Sequence, residues 1–401
     1  DDSLDASAYG DGLALTGTNN QVTAESGALT FDGIASAVAS ALTGTSGADS
    51  FTVDGDNEVT SYDIAFTGVS LVDAASGTDS VTAQSLVTLT GTDNQASTNL
   101  ILFSNIDSVS GGSLEASSGN DSFEVTGANA LTANEIAFSS ISSVDALDGD
   151  DSVTGADGED WSLTGNDYEA TNNGITFSNV EILTTVNAGL TGTAGDDAFV
   201  LQSDADVAIY NMTISGMSSV EGNGGTDSLD ASAYSDGLAL TGADHQVTAE
   251  SGSLIFTDIA SAVTSVLTGT SSADSFTVNG DNEVTSYEIA FTGVSTVDAG
   301  SGGGSVVAQS VVALTGTDNE ASTNLIDFSN IDSVTGGSLE GSDNADTFTV
   351  TSSTSVTANS ISFSSFSGDI DAKSGADSVT GADGEDWTLT GNNYEATNNG
   401  I

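Results

Sequence analysis

Apolar and polar residues alternate along this chain in short stretches that never settle into a helical period. SFTV, VTLTG, IAF and LALTG place apolar side chains on one face and Ser or Thr on the other, the two-residue period of a half-buried strand. Gly, Asn and Asp fill the gaps between these stretches, where turns belong. Only IASAVASAL near residue 34 and IASAVTSVL near residue 259 carry a faint helical stripe, and neither has a good cap. The pattern predicts strands of three to five residues separated by many turns.

Two periods organise those strands. DSLDASAYGDGLALTG begins at Asp2 and DSLDASAYSDGLALTG at Asp227, and the match continues at the same offset through GADGEDWSLTGNDYEATNNGI and GADGEDWTLTGNNYEATNNGI. Within each copy a phrase built around a buried-type anchor recurs, at Phe31, Phe66, Phe103, Phe138, Phe177, Ile214, Phe256, Phe291, Phe328 and Phe363. Successive spacings are 35, 37, 35, 39, 37, 42, 35, 37 and 35. A unit of this size cannot cover its own apolar face, and stacking on neighbours supplies the cover. The expected fold is therefore all-β, a right-handed parallel β-helix or β-solenoid repeat array, with tandem β-sandwich domains as the alternative. One continuous array of 37-residue units is expected over residues 1–401, duplicated as 2–226 and 227–401. The second copy is incomplete and reads as a piece of something longer. Each unit is either one large coil or two coils of half its length, and the anchors form an internal aromatic column.

Charge narrows the functional classes. The chain has 59 Asp and Glu, one Lys (Lys373) and no Arg, for a formal net charge of −58. Nucleic-acid binding needs Lys and Arg against phosphates, and anionic membrane surfaces need them equally. Chemistry on phosphates or acidic sugars needs a cation that only a metal would bring. There is no Cys and no Pro, hydrophobic residues make up 37%, and no run of eighteen apolar residues spans a membrane. High charge with low hydrophobicity also marks disordered chains. Ten anchors at near-constant spacing argue for an ordered array, at least with cations bound.

A second recurrent phrase, as in SGADSF, DGDDSV and AGDDAF, supplies the candidate chemistry. Its aspartates are Asp49, Asp79, Asp121, Asp151, Asp197, Asp227, Asp274, Asp346 and Asp377, and Asp150 and Asp196 stand beside two of them. The place of Asp79 is taken in the second copy by Gly304. Two readings are open. Each Asp caps its turn by accepting backbone N–H groups, without metal; or carboxylates of adjacent rungs share structural Ca²⁺, which takes six to eight oxygens. The metal reading favours the pairs Asp150 with Asp151 and Asp196 with Asp197. His245 matches Asn20 of the first copy, which argues against catalysis. Trp161 and Trp387 read as packing residues, and Lys373 as a neutral replacement.

Turns of this kind before an apolar residue resemble the Gly- and Asp-rich calcium repeats of RTX proteins. LTGTSGADSFTV, WSLTGNDYEATNNGITFSNVEIL and VEGNGGTDSLD look like repeats of giant secreted bacterial surface proteins and adhesins of the hemolysin type, and the resemblance covers essentially the whole chain. The RTX nonapeptide is uninterrupted, whereas here the motif occurs about once per half-unit and several copies lack a Gly. The resemblance implies an extracellular, cell-surface location. The expected function is a non-enzymatic structural segment of a fibre, stalk or sheath, stabilised by divalent cations and open to self-association in a filament. The alternative is an adhesin binding glycans or another cell through its loops. Differences between the copies, such as Gly10 against Ser235 and Thr78 against Gly303, are scattered, which favours the structural role.

Overall fold

The computed structural model describes residues 2–25, 29–250, 252–366, 369–389, 395–398 and 401; part of the closing phrase GNNYEATNNGI lies outside them. Every regular element among the described residues is a strand, most of two to six residues. Contacts group the chain into two compact units: Asp1–Thr191 with Ile209–Met217, and Gly192–Ala208 with Ser218–Ile401. Each is a β-solenoid of two stacked ladders. Both faintly helical windows are strands, Ile34–Val38 and Ile259–Val263. Their β-branched residues and small neighbours suit a ladder, and the stripe has no cap to start a helix.

In the first unit, Ser50–Gly55, Glu58–Ser61 and Ile64–Thr67 form an antiparallel meander with Thr60 between Thr52 and Ala65. The outer strands of the meander pair in parallel with single strands. Ala65 lies opposite Ser36, and Ser50 lies opposite Ser80. The other ladder carries its own meander, Val87–Leu89, Gln95–Thr98 and Ile101–Ser104, flanked in parallel by Leu71–Asp73 and Leu114–Glu115. The chain therefore winds as stacked parallel coils into which meanders are folded. Each repeating unit contributes five strands: a three-strand meander on one ladder and one single strand on each. The following unit places its meander on the opposite ladder. The second compact unit repeats the scheme at the duplicated positions, with Thr285 between Thr277 and Ala290.

Left-handed turns reverse the meander, and an asparagine ties them together. Asn57 has φ of 59°, a conformation that Asn tolerates better than most residues. Its N–H donates to Asn99 O at 2.9 Å, and its Nδ2 donates to Val69 O at 2.7 Å and Leu100 O at 3.1 Å. Asn99 and Leu100 belong to the meander of the other ladder, so one side chain joins two meanders. Asn20, Asn94 and Asn129 make the corresponding bonds, and in the second unit so does Asn282.

The core lies between the two ladders. Phe66, Phe103, Phe138, Phe177, Ile214, Phe256, Phe291, Phe328 and Phe363 are at most 2% exposed. Phe31 is half-buried. They do not form one column, because each anchor sits on the third strand of its meander and successive meanders alternate between ladders. Rings instead meet across the core: Phe51 with Phe103 at 6.1 Å, and Phe276 with Phe328 at 6.2 Å. Phe177 meets both Phe123 at 6.3 Å and Trp161 at 5.8 Å, so the fully buried Trp161 is a packing residue. Removing such a ring leaves a cavity that short strands in a ladder cannot close. Phe103→Ala and Phe328→Ala should each cost about 3–5 kcal/mol in urea unfolding. A loss below about 1 kcal/mol would show that the cross-core pairs are dispensable.

Candidate functional site: the aspartate turns

Two kinds of turn alternate. In the first, the aspartate reaches back four residues to a Thr or Ser. The Thr45 N–H donates to Asp49 Oδ2 at 2.7 Å, and its hydroxyl lies 3.2 Å from the same oxygen. The Tyr62 hydroxyl donates to Asp49 Oδ1 at 2.6 Å. The same contacts join Ser117 to Asp121, Thr193 to Asp197, Thr270 to Asp274 and Ser342 to Asp346, and Tyr287 to Asp274 at 2.7 Å. A Thr or Ser four residues before the Asp was visible in the sequence and marks these turns. Gly44, before Thr45, is required by space, since a Cβ there would sit 2.4 Å from Ala74 O, whereas the turn at Ser117 accommodates Ala116 at that place.

In the second kind, the carboxylate serves another turn. The Asp49 N–H donates to Asp79 Oδ1 at 2.8 Å, and the Asp79 N–H donates to Asp107 Oδ2 at 2.7 Å. The series repeats as Asp121 to Asp151 at 2.7 Å and Asp151 to Glu181 at 2.8 Å. In the second unit Asp197 donates to Asp227 at 2.8 Å and Asp346 to Asp377 at 2.9 Å. Asp107 and Glu181, which the turn phrase does not contain, complete the relays; both stand four residues after a Phe anchor. Where Gly304 replaces the second carboxylate, Asp274 keeps its Thr270 and Tyr287 bonds. The space there is closed, with Ala299 Cβ 2.4 Å from where a Cβ on Gly304 would lie.

Burial separates the candidate residues. Asp49, Asp79, Asp121, Asp151, Asp197, Asp227, Asp274 and Asp346 are all at most 6% exposed, and Asp377 is half-buried. Asp150 and Asp196 are exposed, each beside a buried neighbour. The Asp150 N–H donates to Asn120 Oδ1, and Asp196 Oδ1 accepts the Thr226 N–H. Among the described residues there is no group of three or more His, Cys, Asp or Glu able to hold a metal ion. Among the described residues, the buried carboxylate oxygens without a hydrogen-bond partner are Asp79 Oδ2, Asp151 Oδ2 and Asp227 Oδ2. These three are the atoms a cation would have to reach.

The same three carboxyls have raised pKa values. Burial is the main cause in each case, partly opposed by the amide hydrogen bond and reinforced by acidic neighbours: Asp49 and Asp107 around Asp79, Glu181 and Asp121 around Asp151, Asp197 and Asp196 around Asp227. Tyr62 and Tyr287 are also raised, first because each donates its hydroxyl to a carboxylate.

No family model matches this chain, and a search of curated proteins finds no match to it.

The raised carboxyls set a sign for pH dependence. The folded state holds their protons more tightly than the unfolded chain does. Their stabilising contribution is full below the ordinary aspartate value of 3.8 and is lost as pH rises through the raised values. Asp5 and Asp371, lowered first by hydrogen bonds from Ser7 and Lys373, act in the opposite sense but are exposed. Asp79→Asn keeps the acceptor for Asp49 N–H and replaces the orphaned oxygen with a neutral donor. At pH 7 without added metal it should raise stability by about 1 kcal/mol, and the triple Asn variant at 79, 151 and 227 should flatten the decline above pH 4. Destabilisation that appears only with a divalent ion present would instead place a cation on these oxygens.

Proposed function

We propose that this chain is a structural repeat segment of an extracellular, cell-surface fibre, stalk or sheath, akin to the repeats of giant secreted bacterial surface proteins. The carrying observation is that equivalent residues do the same work in both copies. Thr45 and Thr270, Tyr62 and Tyr287, Asn57 and Asn282, and the pairs Phe51 with Phe103 and Phe276 with Phe328 make matching contacts at corresponding places in the duplication. Those side chains hold the ladders together in both copies. An array in which each unit mainly supports the next can lengthen by duplication without losing function, which suits a spacer.

The net charge of −58 makes cations the natural partners of such a segment. Divalent ions, calcium above all, would relieve repulsion among closely spaced turn carboxylates, where two charges about 5 Å apart in water repel by roughly 0.8 kcal/mol. The same charge repels nucleic acid and anionic lipid.

Location is tested by labelling intact, unpermeabilised cells with an antibody to this segment, followed by imaging after the segment is deleted from its parent chain. Surface label and a shortened outer layer are expected; label confined to the cell interior would sink the proposal. For the cation, calcium should raise the thermal midpoint by several degrees over sodium at matched ionic strength, and chelation should reverse the gain. Equal midpoints in both salts would remove calcium from the proposal.

A further inference from the structure

We infer that the turn at His245 is a protonation-dependent clamp, closed when the imidazole is doubly protonated and loosened when it is neutral. Its place in the fold is that of the asparagine ties. In the first copy, Asn20 donates from Nδ2 to Ile34 O at 3.0 Å and to Asp63 O at 3.1 Å. One carboxamide nitrogen carries both hydrogens, so that tie is indifferent to pH. His245 occupies the matching position of the second copy with almost the same φ, 57° against 58°. The main-chain bonds are also kept: the His245 N–H donates to Tyr287 O at 2.9 Å, and the Ile259 N–H donates to His245 O at 3.0 Å.

The side chain differs in what it can donate. Nδ1 lies 3.2 Å from Ile259 O, and Nε2 lies 3.0 Å from Glu288 Oε2. Both partners are oxygens that accept. A neutral imidazole carries a single N–H, so one ring nitrogen would turn a lone pair toward an acceptor. Only the imidazolium satisfies both. The charged side chain against the ring is Glu288 on the neighbouring turn, and the residues next in sequence to His245 and to Ile259 are the acids Asp244 and Asp258. The Tyr287 hydroxyl is directed to Asp274. The substitution of His for Asn therefore makes one tie of the second unit conditional on a proton.

Amide hydrogen exchange of the intact protein tests this between about pH 5.5 and 8, with rates corrected for intrinsic chemistry. Protection at His245 and Ile259 should fall on the order of three- to tenfold as pH rises. His245→Asn, which restores the residue of the first copy, should show no such fall, and Glu288→Gln should show a smaller one. Because His245 is the sole histidine in the chain, its ring titration can be followed by NMR without ambiguity, and its midpoint should coincide with that of the protection change. Equal pH dependence in wild type and His245→Asn would overturn the inference. So would a protection change whose midpoint differs from that of the ring.

Discussion

The main-chain amide of a buried turn aspartate is held by a carboxylate of the other kind of turn about thirty residues on, and this contact recurs in both units. Strands of three residues have too few ladder bonds to choose a register for themselves. The bond from Asp49 N–H to Asp79 Oδ1, followed by that from Asp79 N–H to Asp107 Oδ2, adds contacts between turns to the few ladder bonds. Phe51 faces Phe103 beside that relay, and Phe276 faces Phe328 in the same way where Gly304 leaves the relay without its second carboxylate, so the strand register and the core support each other. A charged acceptor makes a stronger bond than a neutral one, but only where the charge itself is tolerated. Burial works against that, and the cost is visible in the orphaned oxygens of Asp79, Asp151 and Asp227.

The acidity of the chain therefore has two parts with different physics. Most of the 59 acidic side chains face solvent, where water and counter-ions screen them and where they keep a Ser- and Thr-rich ladder soluble. A minority lie in the turns, out of reach of water, and organise the backbone. Asp150 and Asp151 are adjacent in sequence yet belong to different classes, one exposed and one fully buried. Both stand just before the strand Ser152–Thr154, where Asp151 turns inward to accept the Asp121 N–H while Asp150 stays in water. The second copy shows how a relay position can be lost. With Gly304 in place of the Asp79 equivalent, a Cβ there would meet Ala299, and Asp274 keeps its bonds from Thr270 in its own turn and from Tyr287 thirteen residues on.

Much of the candidate site was legible in the sequence, because turn aspartates before an apolar residue recur in phase with the Phe anchors and the gap at Gly304 breaks that recurrence. The Thr or Ser four residues upstream and the acids four residues after Phe103 and Phe177 were equally present in the letters. Their meaning was not, because the bonds from Asp79 to Asp107 and from Asp151 to Glu181 join residues whose proximity only folding creates. The asparagine ties were hidden for a related reason. Asn57 reads as an ordinary turn residue, while its partners Asn99 and Leu100 lie on the opposite ladder.

The residue order determined that the chain is built of short strands, that it repeats in short units and again as one long duplication, and that it carries almost no positive charge. Those properties are local or additive, so they survive being read one window at a time. Tertiary structure decided that each unit folds back as a meander, that meanders alternate between two ladders, and that anchors such as Phe103 and Phe328 meet other rings, Phe51 and Phe276, across the core instead of stacking in one column. Antiparallel reversal and parallel stacking use the same alternating strand pattern. Which strands reverse and which stack is seen only in pairings and ties between distant residues, such as Asn57 with Leu100, which no local window contains.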